Sequence, residues 1–315
     1  MSTVSVILVN WNDGDRLLHC LRSLDGSGAQ VIVVDNASTD GSPRLVAETF
    51  PSVTLAPQTA NLGFAGGINA GARLASSRYL LLLNTDIVAA PGAVASLASF
   101  LDAHAECGAV TGQLLDEEGQ PQRGWSVRRF PTLASFAVEL LLIDRLWPTN
   151  PISRRHRMLD LSYDRPVRIE QPAAACLMVR REAFDALGGM DERFYPAWFE
   201  DVDFCRRLDE AGWHLYLAPE AVFRHRGGVA RHRLGGRAFA LAWYRNLEQY
   251  ARKHHAVPGW LAVKVLIVAG MVERIVVSLA RGDRAGARIF ASVARQAVGL
   301  SREARARLAR GPQTG

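Results

Sequence analysis

The segment YLLLLNTD, residues 79–86, is an apolar run that ends in three polar residues. Ser76-Ser77 and Pro91-Gly92 bound the segment. A short run that is apolar at every position predicts a strand buried on both faces of a mostly parallel sheet. Such sheets bind ligands beyond the carboxyl ends of their strands, so we expect Asp86 at a site. A plain loop residue or a helix cap is the alternative.

Two earlier segments repeat this pattern. VSVILVN at 4–10 ends in Asn10, and VIVVD at 31–35 ends in Asp35, each before a segment with helical spacing. Alternation of strands and helices predicts a doubly wound α/β fold. Right-handed crossovers bring the ends near Asn10, Asp35 and Asp86 to one edge of the sheet, so a site is expected there.

A glycine-rich segment, NLGFAGGINAG at 61–71, leads into a predicted helix. It matches neither GxGxxG nor a P-loop. Its glycines allow two interpretations. They permit a diphosphate to approach backbone N–H groups at a helix N-terminus, or they let the helix pack closely on the sheet.

The segment FEDVDF at 199–204 concentrates acidic residues at a predicted helix start near Glu200. Acids there complement the helix dipole. Alternatively, the apolar Trp198 and Phe199 raise the pKa of a neighbouring carboxylate towards that of a useful base. His225 follows two predicted short strands, 213–217 and 221–223, and precedes paired glycines. Both a structural and a ligand role are open for it.

Length and composition indicate a globular protein. The 315 residues are 49% hydrophobic and 22% charged, with a net charge of +6, and suit one large domain or two small ones. The four cysteines lack metal-ligand spacing, which favours free thiols in a reducing compartment. The N-terminus has no basic segment before its apolar run, so we expect a cytoplasmic protein. The Arg-rich segment 150–167 predicts a long loop.

The C-terminal part is basic. Residues 260–280 are apolar but include Lys264, Glu273 and Arg274, which favours a helix lying on a bilayer or on a partner over a spanning helix. The arginines that follow suit an anionic membrane surface, and a solvated helix face is the alternative. They are Arg281, Arg284, Arg288, Arg295, Arg302, Arg305, Arg307 and Arg310. Aromatic residues are not interleaved with them, so nucleic acid is not an expected partner.

Five motifs occur in the order known from one enzyme family: VSVILVNWN (4–12), VVDNASTDGS (33–42), NLGFAGGIN (61–69), LLNTD (82–86) and FEDVDF (199–204). Over residues 3 to about 255 the chain resembles the inverting family-2 glycosyltransferases, and it is most similar to their bacterial rhamnosyltransferase-like branch. The resemblance implies a GT-A (Rossmann-like) α/β fold with a C-terminal helical extension. The expected domains are a catalytic domain at 1–236 and a helical, basic extension at 237–315. The catalytic domain is expected to divide into a nucleotide-binding half at about 1–115 and an acceptor half at about 116–236.

The resemblance also implies site residues. Asp201 corresponds to the general base, with Glu200 beside it. His225 corresponds to a histidine that contacts metal or diphosphate. Asn84 replaces the first aspartate of the family's metal-binding DxD, so Asp86 is expected to hold Mg²⁺ or Mn²⁺ with diphosphate oxygens and His225. The donor- and nucleotide-binding residues are Asn10, Asn12, Asp35, Asn61, Gly63, Phe64, Asn84, Thr85 and Asp86.

The implied reaction transfers a sugar from a nucleotide-sugar donor. The expected donor is dTDP-L-rhamnose, and the expected acceptor is a hydroxyl of a cell-surface glycan or a polyprenyl-linked saccharide at the inner face of the cell membrane. A UDP-sugar donor, such as UDP-hexose or UDP-galactofuranose, is the alternative within enzymes. A non-catalytic nucleotide- or carbohydrate-binding subunit is the alternative from another class, and the presence of Asp86, Asp201 and His225 argues against it.

Overall fold

The structure, a computed structural model, describes residues 2–227 and 234–299. Four of the arginines noted above, Arg302, Arg305, Arg307 and Arg310, lie outside the described residues. The strands are β1 Val4–Asn10, β2 Gln30–Asp35, β3 Thr54–Pro57, β4 Tyr79–Leu83, β5 Ile87–Ala89, β6 Cys107–Leu115, β7 Val127–Arg128, β8 Val167–Ile169, β9 Gln171–Pro172, β10 Cys176–Arg180 and β11 His214–His225. The helices are α1 Gly14–Leu24, α2 Ser42–Thr49, α3 Gly63–Leu74, α4 Ala93–Ala103, α5 Leu133–Leu140, α6 Ile143–Leu146, α7 Pro151–His156, α8 Arg181–Ala186, α9 Glu200–Glu210, α10 Gly236–His254, α11 Val257–Ala280 and α12 Arg284–Ala297.

Nine strands of the described residues form one sheet. Its order is β3-β2-β1-β4-β10-β6-β11-β5, with β8 paired to β11. The strands β1 to β4 are parallel to one another, and β6 is parallel to β11. Between these two groups, β10 runs antiparallel to both of its neighbours. The mostly parallel sheet flanked by helices is therefore confirmed.

The sheet is covered on both faces. Every residue of β4 is buried, as its unbroken apolar run predicts. Alternate strand residues enter opposite cores: Leu81 packs with Leu17 of α1 and Leu97 of α4, whereas Leu82 packs with Ile68 of α3 and Phe204 of α9. Side chains alternate between the two faces along a strand, and helices cover both faces here. The central strands are therefore buried on both faces.

The glycines of α3 allow its close packing on β1. A Cβ atom on Gly67 would lie 2.7 Å from a methyl group of Val9, and one on Gly71 would clash with Ile7. Both positions lie inside the helix, where glycine costs roughly 1 kcal/mol relative to alanine. Close contact between helix and sheet therefore explains these two glycines.

Two segments differ from their prediction. The predicted pair of strands near residues 213–223 is one strand, β11, with a register shift between Ala218 and Val222. Pro219 lies inside that shift and has no N–H to donate to the sheet, which accounts for the bulge. The predicted long loop at 150–167 contains the helix α7.

The described residues separate into two compact units. One comprises residues 2–130 and 155–227, including the sheet. The other, called the helical unit below, comprises residues 131–154 and 234–299. The expected division into 1–236 and 237–315 stays a prediction. Among the described helices, none combines the length and the apolarity needed to cross a membrane.

Candidate active site

The ends of β1 and β2 carry a buried polar network. Asn10 and Asp35 are register partners. The Asn10 side-chain amide donates to Asp35 Oδ1 at 2.8 Å and to Ser42 Oγ at 2.8 Å, and the Ser38 backbone N–H donates to Asp35 Oδ2 at 3.0 Å. Asn10 and Asp35 are both buried. The fold thus brings together two predicted nucleotide-binding residues 25 positions apart.

The loops after these two strands are tied to each other. Asn12 lies in the left-handed region with φ 54°, and its Oδ1 accepts the Thr39 backbone N–H at 2.7 Å. Its own backbone N–H donates to Ser38 Oγ at 2.9 Å. Asn12, also a predicted nucleotide-binding residue, therefore lies beside the loop that holds Asp35.

The entry to α3 lies next to this network. Asn61 Oδ1 accepts the Gly63 N–H at 2.8 Å, and Asn36 donates to the Gly63 carbonyl at 3.0 Å. The Phe64 N–H donates to the Pro196 carbonyl at 2.7 Å. Gly63 has φ +75°, and a Cβ there would lie 2.7 Å from the Pro196 oxygen, so glycine is required. The N–H groups of Gly63 and Phe64 are therefore both bonded within the protein, and the diphosphate-binding alternative for this segment stays a prediction.

The polar end of β4 contacts two other segments. Thr85 Oγ1 donates to Asp13 Oδ2 at 2.6 Å, which joins it to the end of β1. The Asn84 backbone N–H donates to the Ala175 carbonyl at 2.9 Å. Asn84, Thr85 and Asp86 therefore lie at the same sheet edge as Asn10 and Asp35, as the crossover argument predicts.

Asp86 faces His225. The distance from Asp86 Oδ1 to His225 Nε2 is 3.6 Å, and Asp86 Oδ2 accepts the Gly227 N–H at 3.2 Å. On its other side, His225 Nδ1 lies 2.8 Å from Gln122 Oε1, while Gln122 Nε2 donates to the His225 carbonyl at 2.8 Å. This second bond fixes the amide so that its oxygen faces the imidazole. Nδ1 therefore carries the proton and the Nε2 lone pair points to Asp86.

This pair suits a divalent cation. Burial lowers the pKa of His225 against the opposing effect of Asp86, so the imidazole is neutral at neutral pH. A neutral Nε2 and a carboxylate oxygen, two electron-pair donors, then converge without a proton between them. Imidazole and carboxylate are ligands of Mn²⁺ and Mg²⁺ sites that substrate phosphates complete. The described residues contain no group of three or more His, Cys, Asp or Glu that could hold a metal.

Asp86 and His225 open onto a cleft of about 540 Å³. The predicted catalytic pair Glu200 and Asp201 is absent from its lining. Charged side chains of both signs surround it, and its lining residues are Arg16, His19, Asp86, Val88, Asp116, Glu117, Arg224, His225 and Arg226.

Glu200 and Asp201 begin α9, where the sequence predicts a helix start. Asp201 is half-buried; its Oδ1 accepts the Val202 N–H at 2.8 Å and its Oδ2 accepts the Ala174 N–H at 3.3 Å. Glu200 is buried, and its Oε2 has no hydrogen-bond partner among the described residues. The two neighbouring carboxyl groups thus have very different surroundings.

These surroundings shift the pKa values of the two carboxyl groups to different extents. Burial raises the pKa of Glu200 well above its ordinary value, and the charge of Asp201 raises it further. Burial also raises the pKa of Asp201, but hydrogen bonds from Ala174 and Val202 stabilise its ionised form. Of the two, Asp201 therefore ionises more readily, and Glu200 retains its proton to higher pH. An ionised carboxylate with a raised pKa is suited to accept a proton.

The turn before α9 is strained. Trp198 and Phe199 both have positive φ, 77° and 71°. Bulky residues rarely adopt this conformation, which costs on the order of 1–3 kcal/mol for each residue. Strain of this kind concentrates at functional sites, and here it sets the direction in which Glu200 and Asp201 leave the turn.

One short segment connects the two acidic regions. Ala174 donates its N–H to Asp201, and the carbonyl of the next residue, Ala175, accepts the Asn84 N–H. The residue after β4 and the start of α9 therefore bind neighbouring residues of one segment, Ala175 and Ala174. This segment thereby links Asp201 to the polar end of β4.

Two contributing residues were not predicted. Asp13 accepts from Thr85 and pairs with Arg16 at 2.8 Å. Its place directly after β1, in a polar turn, is the signal that identifies it. Gln122, by contrast, lies in a loop 103 positions from His225, and its sequence context gives no indication of a role.

Comparison with known proteins fits this geometry. Residues 5–188 match the model of glycosyl transferase family 2, a range that ends before α9. The chain is 31% identical to N-acetylglucosaminyl-diphospho-decaprenol L-rhamnosyltransferase of Mycobacterium tuberculosis, over 70% of this chain and 75% of that protein. It is 26% identical to a rhamnosyltransferase of Escherichia coli, over 47% of this chain and 52% of that protein.

A solved structure shares the fold. A mannosyltransferase from Pyrobaculum calidifontis in complex with GDP-Man and Mn²⁺ superimposes with a TM-score of 0.53 at 19% identity, covering 96% of this chain and 82% of that one. The predicted fold class, GT-A-like with a C-terminal helical region, is thereby confirmed.

Proposed function

The chain belongs to glycosyl transferase family 2, and on that premise we propose that it transfers L-rhamnose from dTDP-L-rhamnose to a hydroxyl of a cell-surface glycan or a lipid-linked saccharide. The observation that carries the proposal is the shared sheet edge of Asn10, Asp35 and Asp86, together with the segment Ala174-Ala175 that binds both Asp201 and Asn84. The names of the two rhamnosyltransferase relatives support the sugar.

Asp201 is the proposed base. As the acceptor hydroxyl attacks the anomeric carbon, a new carbon–oxygen bond forms and the bond to the diphosphate oxygen breaks. The hydroxyl proton passes to Asp201, and the nucleoside diphosphate leaves with the bonding electron pair. One displacement inverts the configuration, so no second carboxylate nucleophile is needed. Glu200, protonated beside Asp201, keeps the pair at a single negative charge.

Asp86 and His225 would hold a divalent cation. When bound, the ion neutralises charge on the diphosphate leaving group. The protein contributes a carboxylate, an oriented imidazole and the Gln122 amide that fixes the tautomer. Asn10, Asn12, Asp35, Asn61, Gly63, Phe64, Asn84 and Thr85 surround the donor in this proposal.

Nucleotide-dependent stabilisation tests the donor. The purified protein is heated with dTDP, UDP, dTDP-L-rhamnose or UDP-sugars, with and without Mn²⁺ or Mg²⁺. A ligand that binds only the folded state adds RT ln(1 + [L]/Kd) to stability, so donor and metal preference emerge together. We expect metal-dependent stabilisation by dTDP compounds. Preferential stabilisation by UDP compounds would support the same transfer reaction with a UDP-sugar as the donor.

Transfer itself is measured with a saccharide linked to polyprenyl diphosphate as the acceptor. We expect the acceptor to gain one rhamnosyl unit with inverted anomeric configuration. A protein that binds nucleotide but transfers no sugar to any glycan or lipid-linked acceptor would support the non-catalytic alternative instead.

A further inference from the structure

The helical unit exposes most of the large apolar side chains on the molecule's surface. Of the eighteen exposed large hydrophobic residues among those described, thirteen belong to this unit. Six lie on α11 at spacings that keep them on one face of a helix: Val257, Leu261, Val265, Val272, Val276 and Leu279. Exposed apolar patches of this extent mark interaction surfaces.

The opposite face of α11 is fixed within the unit. Val263, Ile267 and Met271 are buried there. Arg274 donates from that side to the backbone carbonyls of Leu140 and Glu139 in α5. The helix therefore cannot turn to bury its exposed face without losing these contacts.

The exposed face, called the α11 face below, is long and uncharged. From Val257 to Leu279 it extends about 33 Å at 1.5 Å per residue. The charged residues of α11 lie elsewhere: Lys264 is half-buried and pairs with Glu248 at 3.3 Å, Glu273 is half-buried, and Arg274 faces α5. Val265, in the middle of the face, is 67% exposed.

Cations flank the α11 face at both ends of the helix. Arg252 and Lys253 precede it, and Arg281 follows; all three are exposed. On α12, Arg284, Arg288 and Arg295 recur at intervals of four and seven residues, which places them on one stripe. Asp283 is the single exposed acidic residue within 234–299, the described C-terminal part.

We propose that the α11 face binds an anionic lipid bilayer, with α11 lying in the interface plane. Interfacial helices bury an apolar face near the headgroups while basic residues bind anionic lipid. Charge complementarity selects this occupant over a second copy of the chain, because two copies would bring the same exposed cations together. The inference does not depend on which sugar or acceptor the enzyme uses.

Vesicle flotation of the full-length protein tests the proposal. We expect it to float with phosphatidylcholine vesicles that contain phosphatidylglycerol and to stay behind with phosphatidylcholine alone. The double variant Val265→Glu, Val272→Glu should lose flotation. Leu74→Glu, which replaces a 47% exposed leucine outside the helical unit, is the matched control and should float normally. Circular dichroism and thermal unfolding establish that all variants are folded.

The arginine stripe is tested separately. Replacing Arg284, Arg288 and Arg295 with glutamine should weaken binding roughly a hundredfold, at about fivefold for each basic residue near an anionic surface. Raising the salt concentration should likewise weaken the binding of the wild type to the vesicles.

Other outcomes would overturn the proposal. A variant in which Arg302, Arg305, Arg307 and Arg310 are all replaced by glutamine is compared with the α11 face variant. If the first fails to float and the second floats, the segment that carries these four arginines is the membrane contact. If the wild type ignores vesicles but sedimentation shows a dimer that the α11 face variant dissociates, a second copy covers the face. Transfer to a water-soluble acceptor analogue is measured in parallel, since it would persist if only the membrane proposal failed.

Discussion

Asp86 and the Glu200–Asp201 pair are two acidic regions whose carboxyl groups have contrasting surroundings. Asp86 follows a buried strand and has a backbone N–H and a neutral imidazole beside its carboxylate. Glu200 and Asp201 start a helix after a strained apolar turn, and one oxygen of Glu200 is buried without a partner. The first arrangement is suited to a cation, and the second is suited to proton transfer. The difference shows that environment, not residue type, assigns these roles.

The largest effect is expected from Asp201→Asn. Amide cannot accept the acceptor's proton, so kcat should fall about 10²- to 10⁴-fold, while nucleotide-dependent stabilisation stays intact. Steady-state rates and thermal shifts on the same sample check both parts. Activity equal to the wild type would remove Asp201 from the role of base.

Asp86→Asn, unlike Asp201→Asn, should impair metal-dependent binding of the nucleotide. Loss of the carboxylate should remove metal-dependent stabilisation by the nucleoside diphosphate, which reaches about 2.7 kcal/mol when ligand is at 100 times its Kd. The measurement is thermal unfolding with and without Mn²⁺. If Asp86→Asn and Asp201→Asn behaved identically in this assay, the two regions would not have separate functions.

Gln122→Leu tests how the imidazole is oriented. Without the amide, His225 is free to rotate and to change tautomer, and loss of such a supporting group typically weakens metal affinity 10- to 100-fold. Calorimetry or Mn²⁺ electron paramagnetic resonance measures the affinity directly, without turnover. Gln120→Leu, an exposed glutamine two residues away, is the control and should bind Mn²⁺ as the wild type does.

Glu200→Gln should reduce the transfer rate least of these four variants. Its informative property is the pH dependence of its stability. The raised pKa of Glu200 in the folded state means that its contribution to stability is fully present below the unfolded pKa and is lost as pH rises towards the folded one. Across that interval this residue lowers wild-type stability by about 1.4 kcal/mol per pH unit.

The glutamine variant removes this loss because its amide does not ionise. Denaturant unfolding at pH 5 and pH 8 should therefore show the variant gaining stability relative to the wild type as pH rises. A constant difference between the two proteins would mean that Glu200 is ionised in the fold, and the contrast with Asp201 would disappear.

The sheet and much of its polar edge follow from local patterns in the sequence. An apolar run at 79–83 requires burial on both faces of the sheet. Parallel crossovers bring Asn10, Asp35 and Asp86 to one edge of the sheet independently of the loop conformations. The glycine-rich segment was ambiguous, because a glycine that contacts a ligand and one that contacts Val9 look alike in sequence. Packing of α3 on β1 resolved Gly67 and Gly71.

By itself, the sequence determined the order of strands and helices, the acidic ends of the strands and the helix start at Glu200, since periodicity and capping depend on neighbours a few residues away. Tertiary structure alone decided that Gln122 orients His225, that Ala174 binds Asp201, and that α11 turns its apolar face outward. Hydrogen-bond partners and buried faces depend on which distant segments meet within about 3 Å, and that is a property of the completed fold.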